Sequence, residues 1–191
     1  MEKTVVILSI GSNIEDREFY INSMEQMLLG VLGGRMRVSG LMATEAVGVS
    51  EPQLPYLNKV VAGYYAGAPY QLLDDCQMIE SRLGRVRTVP KGPRTADIDI
   101  LVFGGLQISD VSAPPRTLVI PHPELLNRRF CLEGMVMISP DIKVPLAGGS
   151  RTAGELYEDM DALVAAQNVF FLADGYEVED GGGVPAPFSD G

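Results

Sequence analysis

The pattern of apolar and polar residues predicts a strand followed by a helix at the start of the chain. Residues 4–10 form a short apolar run rich in β-branched side chains, which predicts a buried strand ended by Gly11. In residues 14–32 apolar side chains recur three and four positions apart, which predicts a helix. Ser12 or Asn13 is expected to cap that helix, so the turn between the two elements should be tight.

The later segments continue this alternation of elements. Further strands are predicted at residues 35–44, 56–65, 96–103 and 106–108, and further helices at residues 69–83, 123–132 and 154–167. The resulting order β-α-β-β-α-β is typical of the ferredoxin-like α+β fold. We therefore expect an antiparallel sheet with flanking helices packed on one face, followed by a C-terminal extension.

Composition indicates one domain with an end of different character. The 191 residues, 46% of them hydrophobic, are enough to build one core, and residues 1–172 are predicted to form a single domain. Residues 173–191 are rich in Gly, Pro and acidic side chains and contain no Lys or Arg. This composition predicts a flexible, solvated tail.

Charge and cysteine content argue against several classes of function. The net charge of -10 argues against a nucleic-acid partner, which requires a basic surface. The apolar run at residues 5–8 is too short for a signal peptide or a membrane span. Cys76 and Cys131 form no C-x-x-C pair, so no zinc knuckle or redox motif is predicted. These features predict a cytoplasmic protein without a membrane or nucleic-acid partner.

The sharpest chemical feature is the pair Asp97 and Asp99 in a predicted strand. Residues i and i+2 of a strand point to the same face, so the two carboxylates would lie side by side. A cation between them would relieve their repulsion, and hard oxygen ligands suit Mg²⁺. A D-x-D pair is common, however, and taken alone it favours another explanation, in which one aspartate faces solvent on the strand and the other makes a turn hydrogen bond. The apolar neighbours Ile98, Ile100 and Leu101 favour the metal site, because burying unpaired carboxylates is costly.

Positive charge is concentrated just before this pair, at Arg85, Arg87, Lys91 and Arg94. Arginine binds phosphate in bidentate fashion and stabilises negative charge that develops on a transferred phosphoryl group. Such clusters are often merely solvated loops. In an acidic chain, a basic loop beside two aspartates indicates a metal-dependent nucleotide site.

Several single residues are weaker candidates. His122 is the only histidine, which makes it a poor zinc ligand, and it could make a structural hydrogen bond or contact a phosphate. Tyr56, Asn58 and Phe130 could bind a flat heteroaromatic ligand by hydrogen bonding and stacking. Taken alone, each of these three is better explained as a strand or core residue.

Short motifs occur in a fixed order over residues 4–146. The longest is Gly92-Pro93-Arg94-Thr95-Ala96-Asp97-Ile98-Asp99-Ile100. The others, in chain order, are Ile10-Gly11-Ser12-Asn13, Ala43-Thr44, Val47-Gly48, Tyr56-Leu57-Asn58, Gln77-Met78-Ile79-Glu80, Gly84-Arg85-Val86-Arg87, Ile120-Pro121-His122-Pro123 and Asn127-Arg128-Arg129-Phe130. Together they resemble the 6-hydroxymethyl-7,8-dihydropterin pyrophosphokinase family of folate synthesis.

The resemblance implies a ferredoxin-like fold and a specific reaction. The β,γ-pyrophosphate of ATP would pass to the hydroxymethyl group of 6-hydroxymethyl-7,8-dihydropterin, with release of AMP. Asp97 and Asp99 would hold two Mg²⁺ ions with ATP, and Arg85 and Arg94 would stabilise the transferred group. The implied pterin-binding residues are Thr44, Val47, Tyr56, Asn58 and Phe130. The implied nucleotide-binding residues are Gln77, Glu80, Arg87, Ile100, His122 and Arg128.

The chain also departs from the family pattern. Lys91 stands where many members have a tryptophan in a mobile loop, and Glu45 and Ala46 stand where a proline is usual. These departures keep open a non-catalytic nucleotide- or pterin-binding protein of the same fold. A further alternative is an interaction module whose acidic tail recruits a basic partner. A monomer is expected.

Overall fold

A computed structural model describes residues 3–14, 16–45, 53–85, 92–111 and 117–179. Its strands are β1 (Thr4–Ser12), β2 (Arg35–Val38), β3 (Leu41–Thr44), β4 (Tyr56–Tyr65), β5 (Asp97–Phe103), β6 (Ile108–Asp110), β7 (Leu118–Ile120), β8 (Lys143–Leu146), β9 (Gly149–Thr152), β10 (Val169–Ala173) and β11 (Tyr176–Glu179). Its helices are α1 (Arg17–Val31), α2 (Pro69–Arg82), α3 (Arg129–Ile138), α4 (Ala153–Glu158) and α5 (Ala162–Ala165), and a 3-10 helix spans Leu125–Asn127. Within these ranges, no helix has the length and apolar character needed to cross a bilayer.

The central strand of the main sheet is β1. It pairs antiparallel with β4 on one side and with β5 on the other. Both β2 and β3 pair with the far edge of β4. The spatial order β5-β1-β4-β2/β3, with α1 after β1 and α2 after β4, is that of the ferredoxin-like fold. The predicted fold class is therefore confirmed.

Helices cover both faces of this sheet. Alternate residues of β1 point to opposite faces, so Val6 and Leu8 pack with α1 and α2 while Ile7 packs with α3. Helices α1 and α2 lie on one face, as predicted, whereas α3 lies on the other, so the prediction of a single helical face was wrong for α3. Helix α3 carries an apolar stripe of its own, which includes Leu132 and Met135, and it buries this stripe on the second face.

The start of α1 differs from the prediction. Strand β1 continues through Gly11 to Ser12, so the chain does not turn at the glycine. Helix α1 is capped by Asp16, whose carboxylate accepts a hydrogen bond from the Phe19 N–H at 3.1 Å. The prediction of a cap at Ser12 or Asn13 was wrong.

Three predicted elements are divided in the structure. The predicted strand at 35–44 is β2 and β3, separated at Ser39, which hydrogen-bonds to β4 through its backbone and its hydroxyl. The predicted helix at 123–132 is the 3-10 helix followed by α3. The predicted helix at 154–167 is α4 and α5, because Asp161 caps a second helix start.

The C-terminal segment adds two strands to the sheet. Strand β10 pairs with β3 and strand β11 pairs with β2, both antiparallel. Residues 176–179 therefore form a strand and not a flexible tail, although they are exposed or only partly buried. Residues 180–191 lie outside the described ranges, and the division into a domain at 1–172 and a tail at 173–191 stays a prediction.

A buried charged cluster fastens β11 to the core. The Lys59 ammonium lies 2.5 Å from a carboxylate oxygen of Glu25, and these side chains are only 6% and 5% exposed. Lys59 also donates to the Tyr176 hydroxyl at 2.9 Å, and that hydroxyl donates to Glu25. Burial lowers the pKa of Lys59, but the hydrogen bonds with Glu25 and Tyr176 outweigh it and the pKa is raised. The cluster's contribution to stability is thus complete at neutral pH and is lost as the pH rises through that raised pKa.

Replacing Lys59 by methionine should lower the free energy of unfolding by about 3 kcal/mol, because the Glu25 carboxylate stays buried without its cation. Urea denaturation followed by circular dichroism measures the change. The double variant Lys59→Met/Glu25→Leu should recover most of the loss, since it buries no charge. Unchanged stability of the single variant would contradict this account.

Candidate functional site

Strand β5 places Asp97 and Asp99 on one face of the sheet. The alternate residues Ile98 and Ile100 are buried in the core formed with α1 and α2. The two aspartates therefore face the side on which α3 packs, as the period of a strand predicts.

Two pockets meet at Asp99. The larger has a volume of about 580 Å³ and is lined by both aspartates. It also contains residues predicted to bind the flat ring, namely Thr44, Tyr56, Asn58 and Phe130. The smaller has a volume of about 350 Å³ and contains residues predicted to bind the nucleotide or its phosphates, namely Gln77, Glu80, Arg85, Ile100 and His122. Asp99 lines both pockets, so the two pockets adjoin at its carboxylate.

Some predicted residues fall elsewhere. Arg128, predicted for the nucleotide, lines the larger pocket together with Arg94. Val47, Arg87 and Lys91 lie outside the described residues.

Two arginines neutralise Asp97. Arg94 donates to both carboxylate oxygens of Asp97 at 2.8 Å, and Arg85 approaches Oδ1 at 2.8 Å. Arg85 also contacts Glu80, which accepts a hydrogen bond from the Ile98 N–H at 2.8 Å and so ties α2 to β5. Burial lowers the pKa of Arg94, but the charge and hydrogen bond of Asp97, together with Tyr56 and Asp99, outweigh burial and the pKa is raised. Arg94 therefore stays cationic.

Asp99 is held by a different pair of side chains. Arg128 donates to Asp99 Oδ2 at 2.9 Å, and His122 Nε2 lies 3.7 Å from Oδ1. The imidazole is oriented through its other nitrogen, because Nδ1 accepts the Glu124 N–H at 3.2 Å. The His122 N–H donates to the Leu101 carbonyl at 2.9 Å, which fixes this loop on β5. Burial lowers the pKa of Arg128, but the charge and hydrogen bond of Asp99, together with Cys131 and Asp97, outweigh burial and the pKa is raised.

The donor set at Asp97 and Asp99 fits Mg²⁺. Both groups are hard carboxylates, and their side chains keep 17% and 24% of their exposure at the pockets. Across the described part of the chain, no three His, Cys, Asp or Glu side chains cluster as a metal site. Mg²⁺ needs only one or two carboxylates when phosphate oxygens and water complete its octahedron. Phosphate would also give the arginines a second partner.

One wall of the larger pocket presents an amide to a bound ring. Asn58 is 5% exposed and donates to the Thr44 hydroxyl at 2.8 Å. Its Oδ1 lies against Gly11, where an added Cβ would come within 2.8 Å of it. Gly11 was predicted to end β1 at a turn, but it lies within the strand and leaves room for the Asn58 side chain. Burial raises the pKa of Tyr56, opposed by Arg94 and other arginines, so its phenol is a neutral donor beside Asn58.

Asn13 holds the backbone that carries Arg94. Its side-chain oxygen accepts the Arg94 N–H at 2.7 Å, and its own N–H donates to the Arg94 carbonyl at 3.1 Å. The Asn13 amide nitrogen donates to Gln53 at 2.8 Å. Asn13 therefore joins the end of β1 to two segments that are distant in sequence. The sequence predicted a helix cap at this position and did not indicate these contacts.

Residues near the C-terminus complete the larger pocket. Its lining includes Ala166, Gln167, Asn168 and Val169, which follow α5. No motif in the sequence marks these residues. The pairing of β10 with β3 and the hydrogen bonds between Gln167 and the start of α3 bring them beside the site.

Comparison with known proteins shows which family the chain resembles. The family model for 7,8-dihydro-6-hydroxymethylpterin-pyrophosphokinase (HPPK) matches residues 7–140. The 2-amino-4-hydroxy-6-hydroxymethyldihydropteridine pyrophosphokinase of Bacillus subtilis is 35% identical over 140 residues, which cover 73% of this chain and 80% of that protein. The folic acid synthesis protein fol1 of Pneumocystis carinii is 32% identical over 149 residues, or 78% of this chain, but the match spans only 19% of its length.

A solved structure shows the same fold. The HPPK-DHPS protein of Plasmodium falciparum, determined with pterin and p-hydroxybenzoate, has a TM-score of 0.62 to this chain at 15% identity. The similarity covers 82% of this chain and 44% of that one. Given the extent of the family match and the share of the Bacillus protein that is covered, the chain belongs to the 7,8-dihydro-6-hydroxymethylpterin-pyrophosphokinase family.

Proposed function

We propose that this chain transfers pyrophosphate from ATP to the hydroxymethyl group of 6-hydroxymethyl-7,8-dihydropterin and releases AMP. The observation that carries the proposal is the carboxylate pair on β5 at the junction of two pockets, in a chain of the pyrophosphokinase family. A transfer reaction needs its two substrates to meet at one place, and Asp99 lines both pockets.

The two pockets divide the substrates between them. The larger suits the pterin, because the Asn58 amide can pair with polar ring edges and Phe130 offers an aromatic surface. The smaller suits ATP, with Gln77 and Ile100 beside the base or sugar and His122 and Arg85 beside the phosphates. Glu80 is bonded to Ile98 and Arg85, so it acts by holding β5 and the arginine in place.

The reaction forms one bond and breaks another. The hydroxymethyl oxygen attacks the β-phosphorus of ATP, the bond from that phosphorus to the α,β-bridging oxygen breaks, and the hydroxyl proton is lost. AMP leaves with the bridging oxygen. Arg94 and Arg85 orient the triphosphate and neutralise its charge as the bond breaks, while Arg128, which lines the larger pocket, holds Asp99.

The metal would lie at Asp97 and Asp99. Mg²⁺ bound there, as two ions with ATP, would neutralise phosphate charge and hold the phosphates beside the hydroxyl. The two arginines that pair with Asp97 would bind the same phosphates.

The chain should release AMP when incubated with ATP, Mg²⁺ and 6-hydroxymethyl-7,8-dihydropterin, and release none without the pterin. Chromatography of the nucleotides separates AMP from ADP. Formation of ADP alone, or of no product by the folded protein, would disprove the proposal. Tight pterin binding by calorimetry without AMP would instead favour a non-catalytic binding protein.

We further propose that the chain acts as a cytoplasmic monomer without a nucleic-acid partner. Cys76 and Cys131 are both buried and unpaired, which suits a reducing compartment.

A further inference from the structure

Gln167 bridges the backbone on both sides of Arg128. Its side-chain oxygen accepts the Arg129 N–H at 3.0 Å, and its side-chain nitrogen donates to the Asn127 carbonyl at 2.8 Å. Arg128 lies between these two backbone groups and pairs with Asp99.

The bridge serves a helix end that lacks a cap of its own. Arg129 is the first residue of α3, and Arg128 at the cap position makes no capping bond with its side chain. The first N–H groups of a helix need partners from outside the helix. Gln167, 38 positions further along the chain, supplies one of them.

The segment that carries Gln167 is itself fastened to α3. The Arg129 guanidinium donates to the carbonyls of Ala165 and Gln167 at 2.8 and 3.2 Å. Glu133, which is 5% exposed, holds that guanidinium, and Tyr157 donates to the same Glu133 oxygen at 3.2 Å. The bonds between Gln167 and the start of α3 are therefore reciprocal, and each segment limits the movement of the other.

We propose that Gln167 is a positioning residue for the substrate in the larger pocket. It lies beyond residues 7–140 matched by the family model, yet it lines that pocket. By fixing the backbone around Arg128, it sets the place of the Arg128 guanidinium at Asp99 and of the Phe130 ring. Gln167 should therefore affect binding of the pterin in the larger pocket and leave binding of ATP unchanged. This inference rests on the function proposed above.

The variant Gln167→Met keeps the length of the side chain and removes both hydrogen bonds. It should raise the KM for the pterin about tenfold, the effect of losing about one net hydrogen bond, and leave the KM for ATP within about twofold. The matched control is Gln71→Met. Gln71 makes the same kind of bond, to the Ala68 N–H at 2.7 Å at the start of α2, but lines neither pocket, so both KM values should stay unchanged.

A second variant covers the case in which Gln167→Met folds poorly. Gln167→Glu keeps the acceptor for Arg129 and loses the donor to Asn127, and it should raise the pterin KM about threefold. An unchanged pterin KM in the folded variants, or an equal rise in the ATP KM, would overturn the positioning role.

The inference can fail separately from the proposed function. If the unsubstituted chain releases no AMP, the proposed function fails, and hydrogen exchange then decides the role of Gln167. The amide of Arg129 should exchange at least about tenfold faster in Gln167→Met than in Gln71→Met. Equal protection in the two variants would overturn the inference even if the enzyme is active.

Discussion

Replacing Asp97 by asparagine should lower the rate of AMP release by about a thousandfold. The substitution keeps the shape of the side chain but removes a charged oxygen ligand from the proposed Mg²⁺ site. It also removes the shared anion that holds Arg94 and Arg85 together. Two contributions to charge stabilisation are therefore lost at once, which is why we expect the largest effect here.

The loss should be accompanied by a changed metal dependence. The Mg²⁺ concentration that gives half of the maximal rate should rise in Asp97→Asn, because the remaining carboxylate binds the ion more weakly. The control is Asp75→Asn. Asp75 lies on α2 outside both pockets, and its carboxylate accepts a hydrogen bond from the Tyr65 hydroxyl at 2.7 Å. Full activity with an unchanged Mg²⁺ requirement in Asp97→Asn would refute the metal assignment.

Replacing Asn58 by alanine should raise the KM for the pterin about fiftyfold, or about 2.3 kcal/mol. Asn58 is buried and bonded to Thr44, so its amide is held in one orientation before the ligand binds. An amide held in place loses little conformational entropy when the ligand binds. Removing that amide leaves polar atoms of the ligand without hydrogen-bond partners. The KM for ATP should change by less than about twofold, because Asn58 lines only the larger pocket.

The control for this variant is Asn22→Ala, on the exposed face of α1. It is the same chemical change away from both pockets, and neither KM should move. Steady-state kinetics with each substrate varied in turn gives both constants. An equal rise in the two KM values of Asn58→Ala would mean that the pocket has lost its shape, and the assignment of Asn58 to the pterin would be wrong.

Local pattern was enough to predict the elements that form the middle of the fold. Strands β1, β4 and β5 and helices α1 and α2 have long, uninterrupted apolar periods, and their order led directly to the ferredoxin-like class. The same periodicity placed Asp97 and Asp99 on one face. Prediction failed where a distant contact decides the outcome. Ser39 divides a strand because its hydroxyl bonds to β4, and α3 covers the second face because a separate core is available there.

The C-terminal segment is a second case in which a distant contact, and not local composition, decides the structure. Its acidic and Gly-rich composition is typical of a tail, yet residues 176–179 pair with β2. Edge pairing uses backbone groups, which every residue has, so composition says little about it. The hydrogen bonds of Tyr176 with Lys59 and Glu25 favour the pairing, and they join residues more than a hundred positions apart.

The sequence by itself determined the class of chemistry. Two carboxylates two positions apart in a strand, preceded by arginines, require a cation or an arrangement of charges that replaces one, and this follows from local geometry alone. Only the tertiary structure decided which groups meet around that pair. It brought Asn13 to the backbone of Arg94, Gly11 against Asn58, and Gln167 to the start of α3. These contacts join segments far apart in the chain, and their geometry depends on the packing of the whole sheet, which no local spacing encodes.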